Sequence, residues 1–179
     1  MRLVITGTPC TGKTTLAQFI ASANKWPLID LNALVKKEKL FLRREGKEFV
    51  ADLPKLRKRV LRLICNKKHF VVEGHLACEF PIPCDAVIVL RCNPSVLERG
   101  MKKRGYARKK IDGNLVCEFL DYCGAKAEQN FKRAKIIEVD ATKPVSAQKI
   151  AARLKGGKSD FVDWMPLLLG KRFSKLANA

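Results

Sequence analysis

Short runs of aliphatic residues alternate along the chain with longer stretches in which apolar positions recur every three or four residues. This pattern predicts an α/β fold with a parallel sheet. Arg2–Thr6 reads as a buried first strand. Lys13–Asn24 reads as a helix with Leu16, Phe19, Ile20 and Ala23 on one face. Pro27–Leu31 is a short second strand, and Asn32–Val50 is ambiguous, best read as one or two short helices. Asp52 is placed to cap a helix whose Leu56, Val60, Leu63 and Ile64 share a face. His69–Glu73 and Asp85–Arg91 are strands, the latter rich in Val, Ile and Leu as buried parallel strands are. Asn93 and Pro94 supply an N-cap and a first helical residue for a helix to about Lys103. A basic loop, Gly105–Asp112, precedes a long helix marked by Val116, Phe119, Leu120, Cys123 and Ala127. Lys135–Val139 is a fifth strand, and Ala147, Ile150, Ala151 and Leu154 mark a last helix. Gly156 and Gly157 then break the chain before a tail holding Phe161, Trp164, Leu168 and Phe173.

At 179 residues the chain fits one domain. Its longest apolar runs fall far short of the ~20 residues that cross a bilayer, and the opening residues lack the shape of a secretory signal. The expectation is a cytoplasmic protein, or a nuclear one if its source has a nucleus, with no membrane partner. Seven cysteines, none spaced as C-x-x-C, read as reduced thiols. Charge changes the picture more. The formal net charge is +19. Thirteen Lys or Arg between residues 36 and 68 face only Glu38, Glu45, Glu48 and Asp52, and residues 99–110 hold seven cations and no acid. Such a field attracts polyanions.

The chemistry is concentrated near the start. Gly7, Gly12, Lys13 and Thr14 meet the pattern G-x-x-x-x-G-K-[ST] between a strand and a helix, the context its mechanism requires. Glycines let the backbone wrap inward so that N–H groups point at phosphate oxygens, and the helix N-terminus adds its positive end. In this reading Gly7, Pro9, Cys10, Thr11, Gly12, Lys13, Thr14 and Thr15 hold ATP. Lys13 reaches the β- and γ-phosphates, the Thr14 hydroxyl ligates Mg²⁺, and Thr15 helps with the α-phosphate.

The segment Thr6-Gly7-Thr8-Pro9-x-Thr11-Gly12-Lys13-Thr14-Thr15-Leu16 resembles the loop of adenylate kinases. Cys10 stands where that family commonly has Gly, and a side chain makes positive φ costly. An ordinary backbone conformation is therefore expected at Cys10. The third strand ends Glu73-Gly74-His75, with no arginine nearby. This acid-x-His arrangement resembles adenylate kinase isoenzyme 6 and its archaeal counterparts, proteins that combine nucleoside monophosphate kinase and ATPase activities and assist small ribosomal subunit maturation. Arg91-x-x-Pro94-x-x-Leu97-x-Arg99, Arg104-Gly105-Tyr106 and Lys110-Ile111-x-x-Asn114 are similar to that family's fourth strand and lid.

The resemblance covers about residues 1–155. It implies a three-layer P-loop fold with a five-stranded parallel sheet, a monophosphate-binding segment over 30–53, a short lid over 103–113 and a C-terminal tail over 156–179. It implies that Glu73 helps hold Mg²⁺, that His75 orients an attacking water or senses the γ-phosphate, and that Arg104 closes over the nucleotide. Acceptor-binding candidates are Asp30, Arg99, and either Arg43 or Arg44, whose guanidinium suits a phosphate. Asp140-Ala141-Thr142 would border the adenine. Trp164 matches a tryptophan near many members' ends, and the tail is expected to pack on its own domain rather than on a partner. The expected activity is ATP + AMP to two ADP, with slower ATP hydrolysis. An ATP-switched assembly factor acting on ribosomal protein and rRNA of the small subunit is the second expectation. A kinase for another hydroxylated small molecule is a third, against which the lid signature stands.

Overall fold

The computed structural model describes residues 1–46, 48–170, 172–173 and 176. Part of the expected tail, residues 171, 174–175 and 177–179, and Lys47 in the expected acceptor segment lie outside the described residues. Seven strands and eight α-helices are described: β1 Arg2–Gly7, α1 Lys13–Asn24, β2 Leu28–Asp30, α2 Leu31–Lys37, β3 Phe41–Glu45, β4 Glu48–Ala51, α3 Leu53–Ile64, β5 Phe70–Glu73, β6 Ala86–Arg91, α4 Pro94–Lys103, α5 Arg108–Phe119, α6 Tyr122–Asn130, β7 Lys135–Asp140, α7 Ala147–Gly156 and α8 Met165–Leu168. Five strands form one parallel sheet in the order β2-β5-β1-β6-β7.

The sheet buries both faces, which is why its strands are nearly continuous in apolar residues. Val4, Val72 and Val87 meet Leu34, Leu56, Val60 and Ala127 on one side, from α2, α3 and α6. Leu3, Ile5, Val71 and Ile88 meet Leu16, Ile20 and Ile150 on the other, from α1 and α7. A smaller core joins Leu97 and Met101 of α4 to Leu115 and Phe119 of α5 and to Phe173 of the tail.

Four expectations need correction. Residues 32–50 hold one helix, α2, and then an antiparallel hairpin in which Arg44 faces Phe49 and Glu45 faces Glu48. Phe41 and Phe49 pack their rings 4.6 Å apart on it. The alternation that builds this hairpin is short and set among charged residues, so period 2 was hidden. The basic loop is only Gly105–Ala107, because α5 already begins at Arg108. The long helix is two: Asp121 adopts φ 49° and its carboxylate caps α6 by accepting from the Gly124 N–H at 3.2 Å. Leu120, expected in the core, is exposed at this corner, and Phe19 and Ala23 are exposed on α1, whose buried stripe is Leu16, Ala17, Ile20 and Ala21. The tail packs on its own domain through Phe173, which meets Phe119 edge-on at 5.2 Å, and through Trp164, whereas Phe161 is exposed.

Arg91 ties these layers together. Its guanidinium is buried and donates to Glu118 at 3.0 Å and to Glu138 at 2.8 Å, with Asp121 also 2.8 Å away. Trp164 and the Cys92 N–H also donate to Glu118. One cation thus serves three carboxylates, and burial, resisted by Arg91, pushes Glu138 up to about 7. Arg91→Leu leaves Glu118 buried without its counter-charge and is expected to cost about 3–5 kcal/mol, read as a lower urea midpoint at unchanged slope. A loss below about 1 kcal/mol would show that the cluster does not hold β6, β7 and α5 together.

Candidate functional site

The loop between β1 and α1 owes its shape to two glycines. Gly7 has φ 136°, and a Cβ there would collide with the Leu90 carbonyl oxygen of β6. Gly12, at φ 90°, stands at the N-cap of α1 without a side-chain cap, leaving the first amides of the helix open to a ligand. Cys10 corrects the expectation made for it: its φ is 73°. The left-handed region costs a non-glycine residue roughly 1–2 kcal/mol. Packing offsets this, since the Cys10 side chain rests against the α4 cluster and faces Gly100, where a Cβ would come within 3.5 Å of it.

Inside the loop, Lys13 is buried, and its ammonium donates to the Thr8 carbonyl at 2.8 Å. Burial lowers its pKa, partly offset by Cys123 and Glu73 among the neighbours. The Thr11 hydroxyl donates to the same Thr8 carbonyl at 3.0 Å. The Thr14 hydroxyl donates to Glu73 Oε1 at 3.1 Å. Glu73 is almost wholly buried at the end of β5; burial raises its pKa first, then Asp30, its neighbour in register on β2. A hydroxyl and a carboxylate side by side are hard oxygen donors, the set that suits Mg²⁺ together with phosphate oxygens and water. His75 opens a short 3-10 turn, His75–Cys78, beyond Glu73. Burial, and then Lys13 and Lys110, push its pKa down to about 4, so it is neutral near pH 7.

The loop faces a cavity of about 880 Å³. Pro9, Cys10, Gly12, Lys13, Thr14 and Thr15 line one wall, with Glu73 and His75 at its back. Asn32 and Lys36 of α2 and Glu45, Glu48 and Phe49 of the hairpin form the second wall. Arg104, Tyr106, Lys109, Lys110 and Asn114 form the third. Lys110 crosses between these last two: its ammonium lies 2.7 Å from Glu48 and 4.3 Å above the Tyr106 ring centroid.

The remaining candidates lie off this lining. Arg43 donates to Glu45 at 2.7 Å; Arg44 donates to the Gly46 carbonyl at 2.7 Å and lies over the Phe49 ring. Arg99 is exposed on α4, and Asp30 caps α2 by accepting from Ala33. Sequence reasoning passed over Asn32, Lys36, Glu45 and Glu48. Lys36 and Asn32 face the cavity through the pitch of a two-turn helix, and the hairpin carboxylates face it through a β register that was not foreseen. All seven cysteines are unpaired, and among the described residues no cluster of three His, Cys, Asp or Glu suited to a metal ion is present. No described helix is long and apolar enough to cross a membrane.

Comparison with known proteins agrees with this geometry. Residues 3–121 match the family model described as AAA domain. A protein of Methanocaldococcus jannaschii named "Putative adenylate kinase" is 34% identical over 144 residues, covering 79% of this chain and 77% of that one. The adenylate kinase isoenzyme 6 homolog of Dictyostelium discoideum is 34% identical over 150 residues, covering 78% and 81%. Among solved structures, a deoxyadenosine kinase from M. mycoides with bound dATP shares the fold with a TM-score of 0.58 at 16% identity, over 88% of this chain and 100% of that one. Relatives thus match the chain along most of its sequence, and this chain, with its P-loop on a five-stranded parallel sheet, belongs to the adenylate kinase isoenzyme 6-like family of P-loop nucleoside monophosphate kinases.

Proposed function

We propose that the chain is a Mg²⁺-dependent phosphotransferase that moves the γ-phosphoryl group of ATP onto AMP, giving two ADP, and hydrolyses ATP more slowly when water replaces the acceptor. The observation that carries this reading is the Thr14–Glu73 hydrogen bond at the mouth of the phosphate loop, facing a cavity with cations on the opposite wall. Bound there, Mg²⁺ would be held by Thr14 and, directly or through water, by Glu73, and would neutralise charge on the phosphates. Lys13 would leave the Thr8 carbonyl to meet the β- and γ-phosphates. Open amides at the start of α1 would hold the remaining oxygens. No protein nucleophile is required, because the acceptor phosphate brings its own anionic oxygen. Catalysis is then electrostatic and positional.

On the acceptor side, Lys36 and Lys110 line the cavity, and Arg104 and Lys109 would cover it from the lid. Arg43, Arg44 and Arg99 are assigned supporting roles that require the hairpin or α4 to move toward the ligand, and Asp30 acts from its place at the end of β2 beside Glu73. Glu48 holds Lys110 by an exposed ion pair, so an incoming acceptor phosphate must compete with that carboxylate.

A second reading is an ATP-switched assembly factor that engages ribosomal protein and rRNA of the small subunit. It is favoured by His75, a neutral imidazole two residues beyond Glu73 and able to orient water, where arginine is absent from residues 74–90. Nucleotide-sensitive capture of small-subunit components would support it, whereas brisk AMP phosphorylation without any such capture would count against it.

Three outcomes test the site. Lys13→Met is expected to lower both ADP formation and phosphate release by about 100-fold or more, from the worth of one preorganised donor, at an unchanged melting temperature; near-normal turnover would refute the loop assignment. His75 has a depressed pKa, so its neutral form is retained as pH falls through 6.5 and is lost only toward about 4. Wild-type hydrolysis should therefore show no His75 titration between pH 5.5 and 8, and His75→Ala should slow hydrolysis more than AMP phosphorylation; an equal loss would place His75 in general packing. Glu48→Gln should lower the KM for AMP by up to about 5-fold, the range of an exposed ion pair, with kcat little changed. A raised KM would show instead that Glu48 binds the acceptor.

A further inference from the structure

Helix α3 carries a row of cations that the nucleotide site does not use. Its buried stripe is Leu56, Val60 and Ile64. At 100° per residue, the opposite face presents Lys55, Lys58 and Arg62, with half-buried Arg59 on its flank. The helix contains no acid. The two carboxylates beside it are already engaged: Asp52 caps the helix and pairs with Lys55, and Glu38 holds Arg59 through two nitrogens, at 2.6 and 2.9 Å. Lys58 and Arg62 are exposed and form no ion pair among the described residues, and exposed Lys67 and Lys68 follow just past the helix end. The Arg59–Glu38 link ties α3 to the end of α2, where Lys37 and Lys39 flank Glu38 in the chain. Like charges at i,i+3 and i,i+4 oppose helix formation, so this arrangement carries a folding cost that a bound polyanion would relieve.

We propose that this row binds the sugar-phosphate backbone of a double-helical nucleic acid. Lys55 to Arg62 spans about 10 Å on a rigid helix, a length over which a duplex presents about six phosphates. A rigid row of this kind suits a phosphate lattice of fixed spacing. Single strands are gripped by aromatic platforms as well as by cations, and none of the exposed large apolar side chains lies on residues 53–68. The same lack of an inserting apolar residue argues against a lipid surface. Contacts of this sort position the protein without reading sequence. The inference does not rest on the kinase reading; it gives a surface to any nucleic-acid partner of the chain.

The test is fluorescence anisotropy of the full chain with a 20-base-pair RNA duplex, a DNA duplex of the same sequence, the single-stranded RNA, and vesicles of phosphatidylserine and phosphatidylcholine, each from 50 to 300 mM KCl. Lys58→Gln, Arg62→Gln, Lys67→Gln and Lys68→Gln are combined in one variant. A control variant removes the same charge elsewhere, at exposed Lys132, Arg133, Lys143 and Lys158. The expected result is duplex binding whose log K falls linearly with log salt, with the α3 variant flattening the slope by about 3 to 4 units, near one per lost cation, and the control changing it by less than about 1. Preference between the two duplexes identifies which is favoured, and either preference sustains the proposal. Equal losses in the two variants, or tighter binding of the single strand or of vesicles, would overturn it. ATP binding, measured calorimetrically on both variants, should be unchanged. Its loss would speak to the nucleotide site, so the two readings fail separately.

Discussion

The register of β1 against β5 sets the geometry on which the site depends. Ile5 stands opposite Glu73, two residues before β1 ends at Gly7, and the carboxylate therefore arrives beside Thr14. Side chains alternate between the faces of a strand, so a slip of one residue would carry Glu73 to the opposite layer. The observed pairing holds on both sides of β5, where Val72 lies opposite Val4 of β1 and Ile29 of β2. A buried carboxylate is costly in such surroundings. The cost is limited here by the Thr14 hydroxyl and by the nearby Lys13 ammonium, both groups of the loop itself.

The hydrophobic core and the phosphate site make opposite demands. The core favours dense, neutral packing, and the site gathers backbone amides, a lysine and two carboxylates within one corner of the sheet. The structure separates them by placing polar groups at the carboxyl ends of β1, β2 and β5, where the parallel strands run out and α1 begins. Arg91 performs a similar office at the end of β6. There three carboxylates converge on one guanidinium, and the tail is drawn in through the Trp164 indole.

Much of this was legible in the residues, because the relevant signals are local. The strands of the large sheet are apolar runs, the loop has fixed glycine spacing, and Asp52, Asn93 and Pro94 mark helix starts at their own positions. Long-range features were not. The β3–β4 hairpin is stabilised by pairing across a turn at Gly46, and nothing in its charged sequence distinguishes that from a weak helix. Cys10 adopts a conformation that its own chemistry disfavours, since contact with α4 about ninety residues later decides the matter. The Lys110–Glu48 bridge belongs to the same class, joining the first turn of α5 to a hairpin about sixty residues earlier in the chain.

The sequence contains two tryptophans, and the fold places them in contrasting surroundings. Trp26 stacks on His69 near the amino end of the sheet, 5.5 Å between rings. Trp164 is bonded through its indole nitrogen to Glu118, on α5. Their emission is therefore a built-in optical readout of two places: one indole reports on the amino end of the sheet, and the other on the carboxylate cluster around Arg91.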